Sequence, residues 1–149
     1  MESRSVSEAE IDVEPLDCMT VLPNFRNLAR GVDLFNRARF FDAHEELEDV
    51  WRSVPRDCPS RRHMQGMVQL AVAFHHASTG NRTGARSVLA RALLNLDGAD
   101  VSFPEFDLVR LRGELVRWQH YLDDSVNASD EPDTPRSVAP ALPKILQRR

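Results

Sequence analysis

Apolar residues return every three or four positions through the middle of the chain, and no segment shows the alternation of a strand. In "NFRNLARGVDLFNRA", Phe25, Leu28, Val32 and Phe35 fall on one face, as a helix of about 3.6 residues per turn requires. The same period predicts a second helix over Phe40–Ser53, ended by "VPRDCP", and a long third helix over Arg61–Thr79. Gly80 suits the end of that helix. Asn81 suits the cap of a fourth, which carries Ala85, Val88, Leu89, Ala92, Leu93 and Leu96. Asp97-Gly98 breaks it. A last helix from near Pro104 aligns Leu108, Leu111, Leu115, Trp118 and Leu122. The expectation is an all-α fold, a compact bundle of about five helices joined by short loops.

The flanks have a different character. Residues 1–20 are acidic, with Glu2, Glu8, Glu10, Asp12, Glu14 and Asp17 against Arg4. Residues 127–149 carry Pro132, Pro135, Pro140 and Pro143 and end in "KILQRR". Such segments bury too little apolar area to offset the entropy of ordering. The expected organisation is therefore a flexible N-terminal segment over 1–20, a helical domain over 21–126 and a flexible tail over 127–149. On this reading neither end reaches the core.

Composition narrows the partners. With 149 residues, 42% hydrophobic and 28% charged, the chain suits one soluble domain. A net charge of −4 argues against general nucleic-acid binding, which needs a basic surface. No apolar run has the length of a membrane span. The two cysteines, Cys18 and Cys58, form no disulfide framework, so the expected setting is the cytoplasm, with both thiols reduced. A homo-oligomer is compatible with all of this.

Candidate chemistry sits in two polar stripes. At about 100° per residue, with His44 at zero, Glu48 falls at about +40° and Trp51 at about −20°, while Glu45 lies on the shoulder at about +100°. On the third helix, with Gln65 at zero, Gln69 lies at about +40° and His76 at about +20°. That helix is otherwise apolar nearly all round, so it should be central and buried. Buried polar groups need partners. The simplest packing therefore sets His44 and Glu48 opposite Gln65, Gln69 and His76 across one groove.

These residues also carry a resemblance. "FFDAHEELEDVWR", "QGMVQLAVAFHH" and "GNRTGARSVLARAL" resemble the helical family of bacteria and archaea named domain of unknown function three hundred and nine. The matching positions are Ala43, His44, Glu45, Glu48 and Trp51; then Gln65, Gly66, Gln69, Ala71 and His76; then Gly80, Asn81, Gly84 and Ala85. The resemblance covers roughly residues 28 to 96. It implies a small all-α bundle and no particular reaction.

Several readings of the stripes stand side by side. In the first, His44, Glu48, Gln65, Gln69 and His76 form a hydrogen-bonded network that fixes helix register. In the second, they line a small-molecule pocket walled by Trp51. In the third, His44, Glu48 and His76 hold a divalent transition metal, and Glu45 orients a water or acts as base in a hydrolase or oxygenase type of enzyme. A protein-interaction module is a further alternative. Arg61 and Arg62 are placed to pair with Glu45 or Glu48. His75 reads as a core or edge residue, and His63 and His120 as surface residues.

Overall fold

The computed structural model describes residues 25–127 and 138–148. The expected N-terminal segment, 1–20, lies outside the described residues. Five α-helices form, and no strand among the described residues: α1 Phe25–Asn36, α2 Phe40–Ser53, α3 Pro59–Ser78, α4 Arg82–Asn95 and α5 Leu108–Asn127. A 3₁₀ turn, Ala99–Val101, precedes α5. Each helix packs on the next in the chain. The all-α bundle expected from the periodicity is what the structure shows.

The turns follow from local chemistry. After α1, the Arg39 N–H bonds the Leu34 carbonyl at 2.9 Å and the Ala38 N–H bonds the Phe35 carbonyl at 2.9 Å. This is the paired closure that puts one residue in the left-handed region, here Ala38 at φ 64°. After α3 the same closure recurs, with Asn81 N–H on the His76 carbonyl at 2.9 Å and Gly80 at φ 86°. Pro59 opens α3, where a missing N–H costs nothing.

The core runs through all five helices. Phe35, Phe40 and Phe74 stack edge to face or tilted, with centroids 5.2–6.0 Å apart, and Trp118 of α5 meets Phe74 edge-on at 5.1 Å. Fully buried Leu28, Leu47, Met64, Met67, Leu70, Leu89 and Leu115 fill the space between the helices.

Three features depart from the sequence reading. The last helix begins at Leu108 rather than near Pro104. Phe103 and Phe106 both plunge into the core, which needs a bent connection, and Asp107 caps the helix by accepting the Arg110 N–H at 3.1 Å.

His63, read as a surface residue, is buried instead, at 4% exposure. The 3₁₀ turn covers it, a neighbour far away in sequence. Its Nδ1 lies 2.6 Å from Ser102 Oγ, which lies 3.0 Å from Ser60 Oγ.

The third departure is the tail. Residues 138–148 form an extended strap that returns along α5 to α1. Ile145 is 3% exposed and part of the core. The Asn36 side chain holds Ile145 twice, accepting its N–H at 2.7 Å and donating to its carbonyl at 3.0 Å. Polar, Pro-rich composition hid this docking, because a single aliphatic side chain and main-chain bonds do the holding.

Replacing buried Ile145 by Ala should therefore lower stability by about 2–4 kcal/mol, the usual cost of such a truncation. A denaturant melt checks this, and an unchanged midpoint would show an undocked strap.

His63 generates a pH prediction. Burial, and then the Arg62 charge, hold its pKa below the ordinary histidine value, partly offset by the Asp97 main chain and by Asp97 and Asp100. The unfolded chain then takes up the proton more readily than the folded one. Stability is present above the unfolded pKa and is lost as pH falls below about 6.5. His63→Asn, which can keep a bond to Ser102, should lose less melting temperature than the parent between about pH 7 and pH 5. Equal losses would show that the folded protein protonates His63 without penalty.

Candidate functional site

The helix α3 lies between α2 and α4, and its outer strip is divided between them. With Gln65 at zero, Arg61, Val68, Val72 and His75 lie at about −20° to −80°, and Arg62, Gln69 and His76 at about +20° to +60°. The negative side meets α2: Arg61 stacks over the Trp51 ring at 4.3 Å, and His75 lies 5.6 Å from Phe41 between ring centroids. The positive side meets α4 and its turns. Arg62 donates to the Leu94 and Asp97 carbonyls at 2.9 Å each, Gln69 Oε1 accepts from Asn95 Nδ2 at 2.7 Å, and His76 Nδ1 lies 3.2 Å from Asn81 Nδ2. Gln65 is exposed on the crest.

The two polar stripes of the sequence thus occupy different seams. Along α2, His44 Nε2 lies 3.3 Å from Glu48 Oε2, and the other carboxylate oxygen accepts from Arg52 Nη2 at 3.0 Å. Both side chains are half-buried, at 27% and 28% exposure. Gln69 and His76 turn instead toward α4. The expected set of His44, Glu48 and His76 is therefore not brought together. Among the described residues, no three His, Cys, Asp or Glu side chains converge as a metal would need.

Glu45 is separated as well. It lines an open cleft of about 230 Å³ between α1 and α2, with Arg30, Leu34, Arg39, Asp42 and Glu46. Arg30 pairs with Glu46 at 3.5 Å and Arg39 with Asp42 at 2.7 Å there. Neither expected arginine reaches Glu45 or Glu48: Arg61 covers Trp51 and donates to the Val54 carbonyl at 2.7 Å, and Arg62 closes the end of α4.

Many of the motif positions have a structural use. A Cβ on Gly66 would sit 2.8 Å from Leu96 Cγ, so glycine lets the end of α4 approach α3. Asn81 caps α4 by accepting the Gly84 N–H at 2.9 Å, and a Cβ on Gly84 would collide with that side chain at 2.5 Å. His76 steadies the capping amide. Ala43, Ala71 and Ala85 are fully buried. Besides Glu45 in its cleft and the exposed Gln65, His44, Glu48 and Trp51 remain, all on the α2 side of the outer seam. The Trp51 indole nitrogen is buried and has no hydrogen-bond partner among the described residues.

What this seam can do follows from the pair at its centre. A carboxylate bonded to Nε2 selects the imidazole tautomer that carries its proton there. In the neutral ring Nδ1 is then an acceptor. Phe41, 55% exposed, lies 6.2 Å from His44 and forms an aromatic flank together with His75. Sequence reasoning missed Phe41 and His75, although Phe41 sits one turn before His44 and His75 next to His76.

Part of the chain is similar to a described family and to two relatives. Residues 28–88 match the family described as Domain of unknown function (DUF309). An "Uncharacterized protein" of Aquifex aeolicus (strain VF5) is 28% identical over 81 residues, which cover 54% of this chain and 24% of that protein. The "Uncharacterized protein YpuF" of Bacillus subtilis (strain 168) is 35% identical over 54 residues, 36% of this chain and 30% of that protein. The chain thus spans less than a third of the length of either relative. Among the described residues, no helix is long and apolar enough to cross a membrane.

Proposed function

We propose that the DUF309 region of this chain is a binding module whose recognition site is the outer seam between α2 and α3. The observation that supports this most is the His44–Glu48 pair. Glu48 is engaged at both oxygens and orients the imidazole, whose Nδ1 in the neutral ring accepts a hydrogen bond. Among the described residues no nucleophilic side chain is bonded to the pair, and its orientation suits recognition. The ligand class it fits is a small molecule with a hydrogen-bond donor beside a flat apolar face: the donor meets His44, and the face lies on Phe41 and His75. Arg61, stacked on Trp51, closes the other end of the seam. A network that only fixes helix register is less well supported, because Glu48 and its partner Arg52 belong to the half-exposed surface, where ion pairs contribute little.

The setting belongs to the same proposal: a cytoplasmic domain, on its cysteine usage, that does not bind nucleic acid, on its net charge of −4.

Glu48→Gln and His44→Ala should each change stability by no more than about 0.5–1 kcal/mol, as for exposed ion pairs. Titration with aromatic amide and aromatic amine fragments should shift backbone amide resonances within 41–51 and 68–75 in the parent. Those shifts should vanish in His44→Ala. Variants that unfold easily would return the pair to a structural network, and fragments that ignore the seam would remove it as a recognition site.

A further inference from the structure

The strap of residues 138–148 is held almost wholly through its main chain. Besides the two bonds from Asn36 to Ile145, Trp118 Nε1 donates to the Ala141 carbonyl at 2.9 Å, and Glu114 Oε1 accepts the Lys144 N–H at 3.3 Å. The Asp107 N–H meets the Leu146 carbonyl at 2.8 Å, and the Arg148 N–H meets the Glu105 carbonyl at 2.7 Å. Of the strap's side chains only Pro143 and Ile145 are buried, while Val138 is 92% and Leu142 47% exposed. A groove that satisfies a main chain and takes one aliphatic anchor is built like a site for an extended peptide.

We infer that this groove between α1 and α5 is a peptide-docking surface, and that it accepts the strap of a second copy of this chain in place of its own. Two observations lead there. The strap buries few side chains, so its release exposes little and costs far less than global unfolding. A second copy supplies the same backbone, the same Ile145 and the same prolines, so every bond lost in one chain is remade in the other. Pro140 and Pro143 restrict the strap before it docks, which lowers the cost of ordering it in either chain. The chain's own strap competes at the high effective concentration of a tether, so exchange rises with protein concentration. This inference is independent of the seam between α2 and α3.

The test uses complementation between two full-length variants. Asn36→Ala damages the groove and keeps the strap; Ile145→Ala damages the strap and keeps the groove. Mixed at high concentration after brief warming, they should form a heterodimer detectable by native mass spectrometry, with the intact strap in the intact groove. The mixture should melt above either variant alone. A free peptide of residues 138–148 should also raise the melting temperature of Ile145→Ala in proportion to its concentration, and have no such effect on Asn36→Ala. If a variant fails to fold, isotopically light and heavy pools of the parent replace the pair, and mixed-mass dimers should grow with concentration. Variants or pools that stay monomeric overturn the exchange, and peptide rescue without mixed dimers does so too. A peptide with no effect overturns the docking surface itself.

Discussion

The burial of α3 is the constraint from which the rest of the arrangement follows. A helix of 20 residues, apolar over most of its circumference, has to lie between neighbours. Helices α2 and α4 take its two flanks, and α1 and α5 complete the core around Phe74. Only a narrow outer strip of α3 is left, centred on Gln65. Every polar side chain on that strip then has to choose a neighbour. Arg62, Gln69 and His76 go to α4, and Arg61 and His75 go to α2.

This division separates polar groups that bond across to α4 from ion pairs that stay within α2. On the α4 side, each polar group is consumed. Arg62 and Arg112 take up carbonyls at the end of α4, Asn95 takes Gln69, and Asn81 is shared between a helix cap and His76. Positive charge at a helix C-terminus also opposes its dipole favourably. On the α2 side, the pairs are within α2 itself: His44 with Glu48, and Glu48 with Arg52. They join no other helix, so they contribute little to holding the bundle.

The helices were legible in the sequence because an apolar period survives any change of neighbour. The Gly80-Asn81 turn was legible too, since a left-handed residue followed by a capping amide is a local requirement. The stripes were read at the right angles but assigned to one groove. A helical wheel separates His75 from Gln69 by about 120°, yet it does not say which neighbour stands on which side. His63 was misplaced for the same reason: the turn that covers it lies some forty residues away, and Ser102 follows His63 by 39 positions. The strap was missed because its recognition is by main chain, and main-chain bonds leave no trace in composition. Ile145 is the one buried side chain of the strap's four Val, Ile and Leu residues, and composition does not single it out.

The division of the α3 strip is tested most directly by double-mutant cycles on Gln69, read from denaturant unfolding. Paired with Asn95 across the α3–α4 seam, truncation to Ala should show a coupling of about 0.5–1.5 kcal/mol, the worth of one hydrogen bond. Paired with Glu48 on α2, the two truncations should add within about 0.5 kcal/mol, as for residues that share no partner. Coupling between Gln69 and Glu48, with none between Gln69 and Asn95, would place both polar stripes in one groove and contradict the separation of seams.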